Sequence, residues 1–486
     1  MLRGWFSDGG RARLKFLYMI EGSKTAKIKS VKIFPLLAAA SVFFLFYLSV
    51  RRPYLFGESN VLALLVLVVA GFIASQYETH FWAIMIAVFF WAGSAFPLAG
   101  PMSLFRWVVL GLGAFLGLAY YVRSSTKIPF NYLHLLGLFT VIAAFASAIV
   151  SVNPVITVLK ALSLAALFVY ASIGARVLWS RNPEPFVRKL VLMAEVLVYF
   201  LAICYAAGFE VWGSSNSLGL IMGCLCWPVL LWRFILPPSR HGSRRRFIAL
   251  LVCGALLVLS LSRASLAAAC LTSTFLLFGA RRYRTLLLGV SLFAVILLST
   301  FLVAPGRFQD ASETLIYKKG DRGNVMDSRQ KPWERSLRTF REHPWLGLGF
   351  GAADNSTDQR LTYATQGQLT RERGSSYLTM LETTGLLGTL PCALLILALI
   401  VEIWRTFLWL RRTGKVNQPA VVAAAIILAG LMNACFEDWM FAVGYYMSVI
   451  FWVLALSLRD WMACPVSPDV QPVTVAIQGS FALRGQ

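Results

Sequence analysis

The sequence predicts an all-α fold: a polytopic transmembrane helical bundle of about 12–14 spans with one large external loop. Three observations predict it. The 486-residue chain is 58% hydrophobic and only 14% charged, against about 25% charged in a soluble domain, and its mean hydropathy is +0.69. Apolar runs of ~17–25 residues recur along it, each long enough to cross ~30 Å of hydrocarbon. Basic residues gather between those runs as juxtamembrane anchors do. The formal net charge of +23 therefore speaks for anchoring in a membrane and against nucleic acid as a partner.

The elements follow in order. Residues 1–32 are basic and mixed, without the short apolar core and small-residue cleavage site of a secretory signal. Arg3, Arg11, Arg13, Lys15, Lys24, Lys27, Lys29 and Lys32 put this segment in the cytoplasm by the positive-inside rule. Residues 33–303 hold the N-terminal bundle, with runs starting near Ile33, Asn60, Phe81, Leu104, Phe130, Val155, Val187, Ser217, Phe247, Ala264 and Leu286. Residues 304–376 form the large loop. Residues 377–461 carry the last runs, from Tyr377, Pro419 and Met440, and 462–486 is a tail without periodicity, expected to be disordered. Merging of short neighbouring runs would lower the count to about twelve.

The loops at Arg123–Lys127, Arg176–Lys189, Arg233–Arg246, Arg281–Arg284 and Arg405–Lys415 then fall inside, and each is basic. Arg51 and Arg52 fall outside and break the pattern. Both termini are expected in the cytoplasm and the large loop outside.

Eight cysteines and four histidines are scattered, with no cysteine in the large loop. Their spacing fits neither a disulfide framework nor a zinc site, and the cysteines read as small packing residues. Phosphate-loop, dinucleotide and nucleophile-elbow signatures are missing, so ATP chemistry and a bound cofactor are not expected.

The loop contains QKPWERSLRTFREHPWLGLGFGAAD. Trp333, Leu337 and Phe340 are expected on one face of a helix that Pro344 ends, followed by a tight, flexible turn at Gly347, Gly349 and Gly351. The chain re-enters the bilayer at RERGSSYLTMLETTGLLG, from Arg371 to Gly388. Ser375 and Ser376 suit a helix N-cap. A helix start with Arg371 and Arg373 beside it suits an anion, although any membrane helix needs a cap and interfacial arginines. Gly385 and Gly388 read as close helix packing.

Arg263, in LSLSRASLAAA, either faces a polar cavity or snorkels to the interface. Arg106, Lys160 and Arg329 fall on the same side, as do Glu437 and Asp438 in NACFEDWMF and Asn216 and Gly219 in GSSNSLGL. So many cations with so few carboxylates suit a diphosphate whose lipid tail stays in the bilayer.

In chain order, NSLG from Asn216, SRAS around Arg263, SRQKPW around Arg329, HPWLGLGFG from His343 and SSYLTMLETTGLLG from Ser375 resemble the O-antigen ligase and polymerase superfamily. The resemblance covers about Asn216 to Leu390. It implies a bacterial inner-membrane enzyme that transfers or polymerises glycan from undecaprenyl diphosphate at the periplasmic face, onto an acceptor glycan or lipid, without metal or nucleotide. It allows other polysaccharide-assembly proteins as partners. It implies that Arg263 and Arg329 bind the diphosphate, with Arg373 nearby, and that Gly374, Ser375 and Ser376 border the acceptor. One departure matters: the site where ligases carry a histidine is Gly374 here. That favours the polymerase or exopolysaccharide branch and leaves Glu372, Glu437 or Asp438 as base, or no base at all. A transporter or flippase of the same lipid-linked oligosaccharides is the alternative, suggested by Glu195 within a span. A catalytically inactive scaffold is a third reading.

The topology is testable by labelling. Ser312→Cys and Ser356→Cys should react with a membrane-impermeant thiol reagent in cells with a permeabilised outer membrane. Reaction only after inner-membrane lysis would place the loop inside.

Overall fold

The computed structural model describes residues 76–303 except 79, 98, 125–127, 181, 213 and 237–242, together with residues 71, 327–352 and 374–464. The basic N-terminal segment, the runs at Ile33 and Asn60, Arg371, Glu372 and Arg373, the remainder of the large loop and most of the tail lie outside the described residues. The chain divides into two units, Met1–Phe81 and Trp82–Gln486. In the first, Tyr77 packs on Phe81 with ring centroids 5.2 Å apart. The second holds the helical bundle and the site.

The helices are α1 (Phe81–Ala92), α2 (Ala99–Arg123), α3 (Tyr132–Ala146), α4 (Pro154–Trp179), α5 (Glu184–Ala206), α6 (Ser215–Ile235), α7 (Ser243–Leu259), α8 (Arg263–Gly279), α9 (Tyr283–Val303), α10 (Asp327–Glu342), α11 (Ser376–Thr413), α12 (Pro419–Ala434) and α13 (Tyr446–Ala463). Every run expected from Phe81 onward meets a helix, and α10 is the helix expected in the loop. Among the described residues, seven helices (α2, α3, α4, α5, α6, α11 and α13) are long and apolar enough to cross a membrane. The fold is a polytopic helical bundle. Local chemistry starts the helices: Asn153 caps α4 by accepting from the Ile156 N–H at 3.3 Å, with Pro154 in the first turn. Asn131 and His134 close a capping box at α3.

The most buried helices are α12, rich in small side chains, and α13. In α12, Val421 to Ile427 are fully buried, with three consecutive alanines among them. Such residues let backbones approach closely where no water drives association. α12 packs on α8, α11 and α13, and α13 is buried from Tyr446 to Leu458. Large apolar residues turn outward on α2, α5 and α9, among them Leu104, Ile203 and Leu288, as a lipid-facing surface requires.

Arg176, expected in an inside loop, is instead a fully buried residue of α4. Nε and Nη2 reach Asp460 of α13 at 2.7 and 3.1 Å, Nη1 reaches the Ser172 carbonyl at 3.1 Å and Nη2 the Pro129 carbonyl at 3.0 Å. A buried charge is tolerated when its donors are matched in this way.

The runs at Phe247 and Ala264 are separate helices as expected: Leu261 stands between α7 and α8 with φ 51°, a left-handed conformation that a bulky side chain adopts only under strain. Two further expectations change. The last run does not begin at Met440. Residues 435–445 form a folded linker and α13 starts at Tyr446. Leu337 of α10 is exposed; the inward face of that helix carries Trp333, Ser336, Thr339 and Phe340.

The largest departure is within α11. At Gly385 the backbone turns to φ 59°, ψ −160° and the helix is broken. In an unbroken helix the N–H groups of Leu386 and Leu387 would bond to the carbonyls of Glu382 and Thr383. Instead they donate to Pro344 and Trp345 of the loop, at 2.8 and 3.1 Å. The two vacated carbonyls accept from Leu348 and Gly349, at 3.1 and 2.9 Å. The glycine segment after α10 thus completes the hydrogen bonding of a membrane helix. Gly385 is needed for its conformation and for the approach of the loop, since a Cβ there would lie 2.4 Å from the Trp345 carbonyl carbon. Gly347, Gly349 and Gly351 also have positive φ, but Leu348, Phe350 and Ala352 between and after them are buried, so the segment is a packed element rather than a flexible turn.

Gly385→Ala should therefore lower thermal stability more than Gly414→Ala. Gly414 has a similar φ of 67° with nothing within 4 Å of its Cβ position, so its replacement carries only the left-handed penalty of about 1–2 kcal/mol. Melting of the detergent-purified variants measures this, and equal losses would contradict the docking of the loop at the break.

Candidate functional site

The site forms where the starts of α6, α8 and α11 meet the linker 435–445 and the loop helix α10. Ser214 caps α6 by accepting from the Asn216 N–H at 3.3 Å. The Asn216 side chain then donates to Glu437 Oε1 at 2.9 Å. One turn on, Gly219 lies directly against Ser262, where a Cβ would come within 2.4 Å of the serine Cβ. That contact seats the first turn of α8, which Arg263 opens, beside the start of α6. Ser262 and Ser265 share a hydrogen bond of 2.9 Å. Asn433 of α12 donates to Ser265 at 3.1 Å and accepts from the Trp439 indole at 2.9 Å.

Arg329 arrives from α10. Its Nη2 lies 2.5 Å from Glu437 Oε1, with both side chains mostly buried. The same carboxylate oxygen therefore receives a donor from the loop helix and one from α6. The start of α11 is pinned to the same linker. Ser376 is fully buried; its hydroxyl donates to the Glu437 carbonyl at 2.8 Å and accepts from the Trp439 and Met440 N–H groups, each at 3.1 Å. Its own N–H reaches the Glu437 carbonyl at 3.2 Å. One donor and two acceptor positions are all a hydroxyl has, so Ser376 is saturated by the linker. Ser375 holds the N-cap position without a side-chain cap bond.

Gly374 has φ 70° and its carbonyl accepts from the Trp333 indole at 3.1 Å. A side chain here would need a left-handed backbone and would begin 3.3 Å from Pro332 and Trp333. Two more expected cations reach the same region: Arg106 donates to the Gly444 carbonyl at 3.0 Å and Lys160 to the Gly351 carbonyl at 2.8 Å. Arg329, Glu437, Asp438, Gly374, Ser375, Ser376 and Asn216 are thus in or beside one linker, and Arg263 opens the helix whose Ser265 bonds to Asn433, six residues before Trp439.

Two residues at the site escaped the sequence reading. Glu382 is fully buried in α11 and accepts from the Ser336 hydroxyl of α10 at 2.7 Å. A carboxylate two turns inside an apolar run was a signal of such a partner. Tyr445 bonds to Ser217 and Tyr446, and burial raises its phenol above the ordinary value, so it stays a neutral hydrogen-bonding group. An aromatic residue in an apolar stretch gives no comparable signal.

Residues 248–393 match the O-antigen ligase family model. The match runs from α7 to the middle of α11, and so takes in Arg263, α10 with Arg329, the glycine segment and the break at Gly385. The likeness to the O-antigen ligase and polymerase superfamily rests on this stretch, and the order of its motifs coincides with the elements that build the site. No curated protein matches the chain.

Ser376→Ala would leave the Glu437 carbonyl and two N–H groups of the linker without their hydroxyl partner. An unsatisfied buried polar group costs about 1–3 kcal/mol, so the variant should melt at lower temperature than Ser375→Ala, whose side chain makes no cap bond. Equal melting temperatures would contradict the pinning of the linker by Ser376.

Proposed function

We propose that the protein is an inner-membrane glycosyltransferase of the O-antigen ligase and polymerase type. It transfers or polymerises glycans carried on undecaprenyl diphosphate at the periplasmic face, and its branch is that of the polymerases or exopolysaccharide enzymes. The observation that carries this reading is the placement of Arg329. A helix from the loop brings it to Glu437 of the linker, which also takes Asn216 at the start of α6, and the next turn of α6 packs against Ser262, the residue before Arg263.

The chemistry is a displacement at the sugar anomeric carbon. The acceptor hydroxyl oxygen forms the new bond to that carbon while the bond to the diphosphate oxygen breaks, and the electron pair leaves on the diphosphate. Arg263 and Arg329 bind the diphosphate and stabilise the charge that grows on it, which is where fixed donors contribute most. The lipid diphosphate is already an activated leaving group, so the reaction needs no nucleotide and no metal.

Glu437 is a positioning residue for Arg329 in this scheme, because its Oε1 already takes both Arg329 and Asn216. The acceptor proton then passes to Asp438, to Glu372 or to solvent. The left-handed backbone at Gly374 is ill suited to the histidine of ligases, in keeping with the polymerase branch. Glu195, the residue that suggests a transporter, is buried midway along α5 and already paired with Arg245 in the first turn of α7.

Purified protein given undecaprenyl-diphosphate glycan tests the proposal. Arg263→Ala and Arg329→Ala should each lower chain growth by about 10²–10³-fold, the usual effect of removing a fixed donor, with lysine rescuing poorly because it lacks the planar fork. Glu372→Gln or Asp438→Asn should lower the rate by about 10²–10⁴-fold, whichever is the base, and neither will if none is used. Wild-type turnover in both arginine variants would refute the site.

A further inference from the structure

A second charged cavity lies among α5, α6, α7 and the turn before α12, away from the site just described. It measures about 490 Å³ and is lined by Arg188, Arg233, Arg245 and Arg246 against Glu184 and Glu195, with Val187, Leu192 and Trp232 as apolar wall. Glu184 and Arg188 stand one turn apart on α5 and match each other. The rest of the charged lining is Arg233, Arg245, Arg246 and Glu195. The Glu195 carboxylate is buried and bonded to Arg245. Arg233 is acted on by the like charge of Arg246 as well as by Glu195. Four arginines against two glutamates in one cavity leave an excess of positive lining charge that favours an anion.

We infer that this cavity binds a phosphate-bearing anion, and that the source its surroundings fit is the headgroup of an anionic membrane lipid. Arginine is the side chain suited to phosphate, since its planar fork matches two oxygens at once. Leu192 lines the cavity and opens an outward apolar stripe on α5 with Val196 and Ile203, all more than half exposed. Acyl chains lying along that stripe would bring a headgroup to the cavity from within the leaflet. Tyr199, on the same stripe, donates to the Arg245 carbonyl at 3.2 Å and so ties the first turn of α7 to the stripe. The sequence expects these basic loops on the cytoplasmic side, the leaflet whose surface potential is negative. The inference stands independently of the glycosyl-transfer reading.

The test uses delipidated full-length protein in neutral detergent, titrated with phosphatidylglycerol, phosphatidylcholine or inorganic phosphate and followed by native mass spectrometry and melting. Wild type should bind phosphatidylglycerol in preference to phosphatidylcholine. Arg233→Gln/Arg246→Gln should weaken phosphatidylglycerol binding by about 25-fold, on the basis of about five-fold per arginine near a charged surface. Arg233→Lys/Arg246→Lys, which keeps the charge but lacks the fork, should bind more tightly than the glutamine variant and less tightly than wild type, and guards against a folding defect. Arg282→Gln/Arg284→Gln, an equal loss of charge at exposed positions outside the cavity, should bind as wild type does. Stabilisation of wild type but not of the glutamine variant by inorganic phosphate, with no response to phosphatidylglycerol, would uphold the phosphate chemistry and overturn the lipid source. Equal binding of every ligand by wild type and the glutamine variant would overturn the inference.

Discussion

The arrangement depends first on a membrane helix that is broken at one residue. The turn at Gly385 removes two backbone hydrogen bonds from α11 where Glu382, Thr383, Thr384 and Gly385 are all buried. Each lost bond in such surroundings is expensive, so the break is tenable only if other groups take over. The segment Pro344–Gly349 does so with two acceptors and two donors in register. A loop that elsewhere would be free to drift is held by the needs of the helix it crosses.

With the glycine segment fixed, the helix before it is also fixed, and Arg329 is delivered to a defined place. Glu437 receives it there and at the same time receives Asn216, while the main-chain carbonyl of Glu437 is taken by Ser376. The linker 435–445 therefore joins α6, α10 and α11 through one residue. α8 is placed by a different kind of contact, the bare backbone of Gly219 against Ser262, which allows Arg263 to start its helix at the same level. Two arginines distant in sequence come to one face by hydrogen bonding in one case and by the absence of a side chain in the other.

Much of the fold was legible because the bilayer makes hydropathy a strict guide: from Phe81 onward each apolar run became a helix. The motifs also pointed to residues that the fold gathers at one linker. The failures have physical causes. Residues 435–445 read as part of a span because CFEDWMFAVGY is largely apolar, yet they are packed as a folded linker against helix starts rather than as a helix. Leu337 matched the period of α10, but polar Ser336 and Thr339 are buried instead, Ser336 as a donor to Glu382. Gly385 was read as a packing glycine; hydropathy carries no trace of a broken backbone whose partners lie some forty residues earlier in the chain. Arg176 looked like an anchor because nothing local foretells Asp460 at the far end of the chain.

The central claim is that the loop and the interrupted helix form one hydrogen-bonded unit. Amide hydrogen exchange on the protein reconstituted in lipid nanodiscs tests it most directly, by the rates at Leu348, Gly349, Leu386 and Leu387. The account predicts that all four exchange slowly and as a group, at least about 100-fold slower than open amides, as backbone groups within a cooperative unit do. Exchange of Leu348 and Gly349 at the rate of an open loop, with Leu386 and Leu387 protected separately, would contradict it.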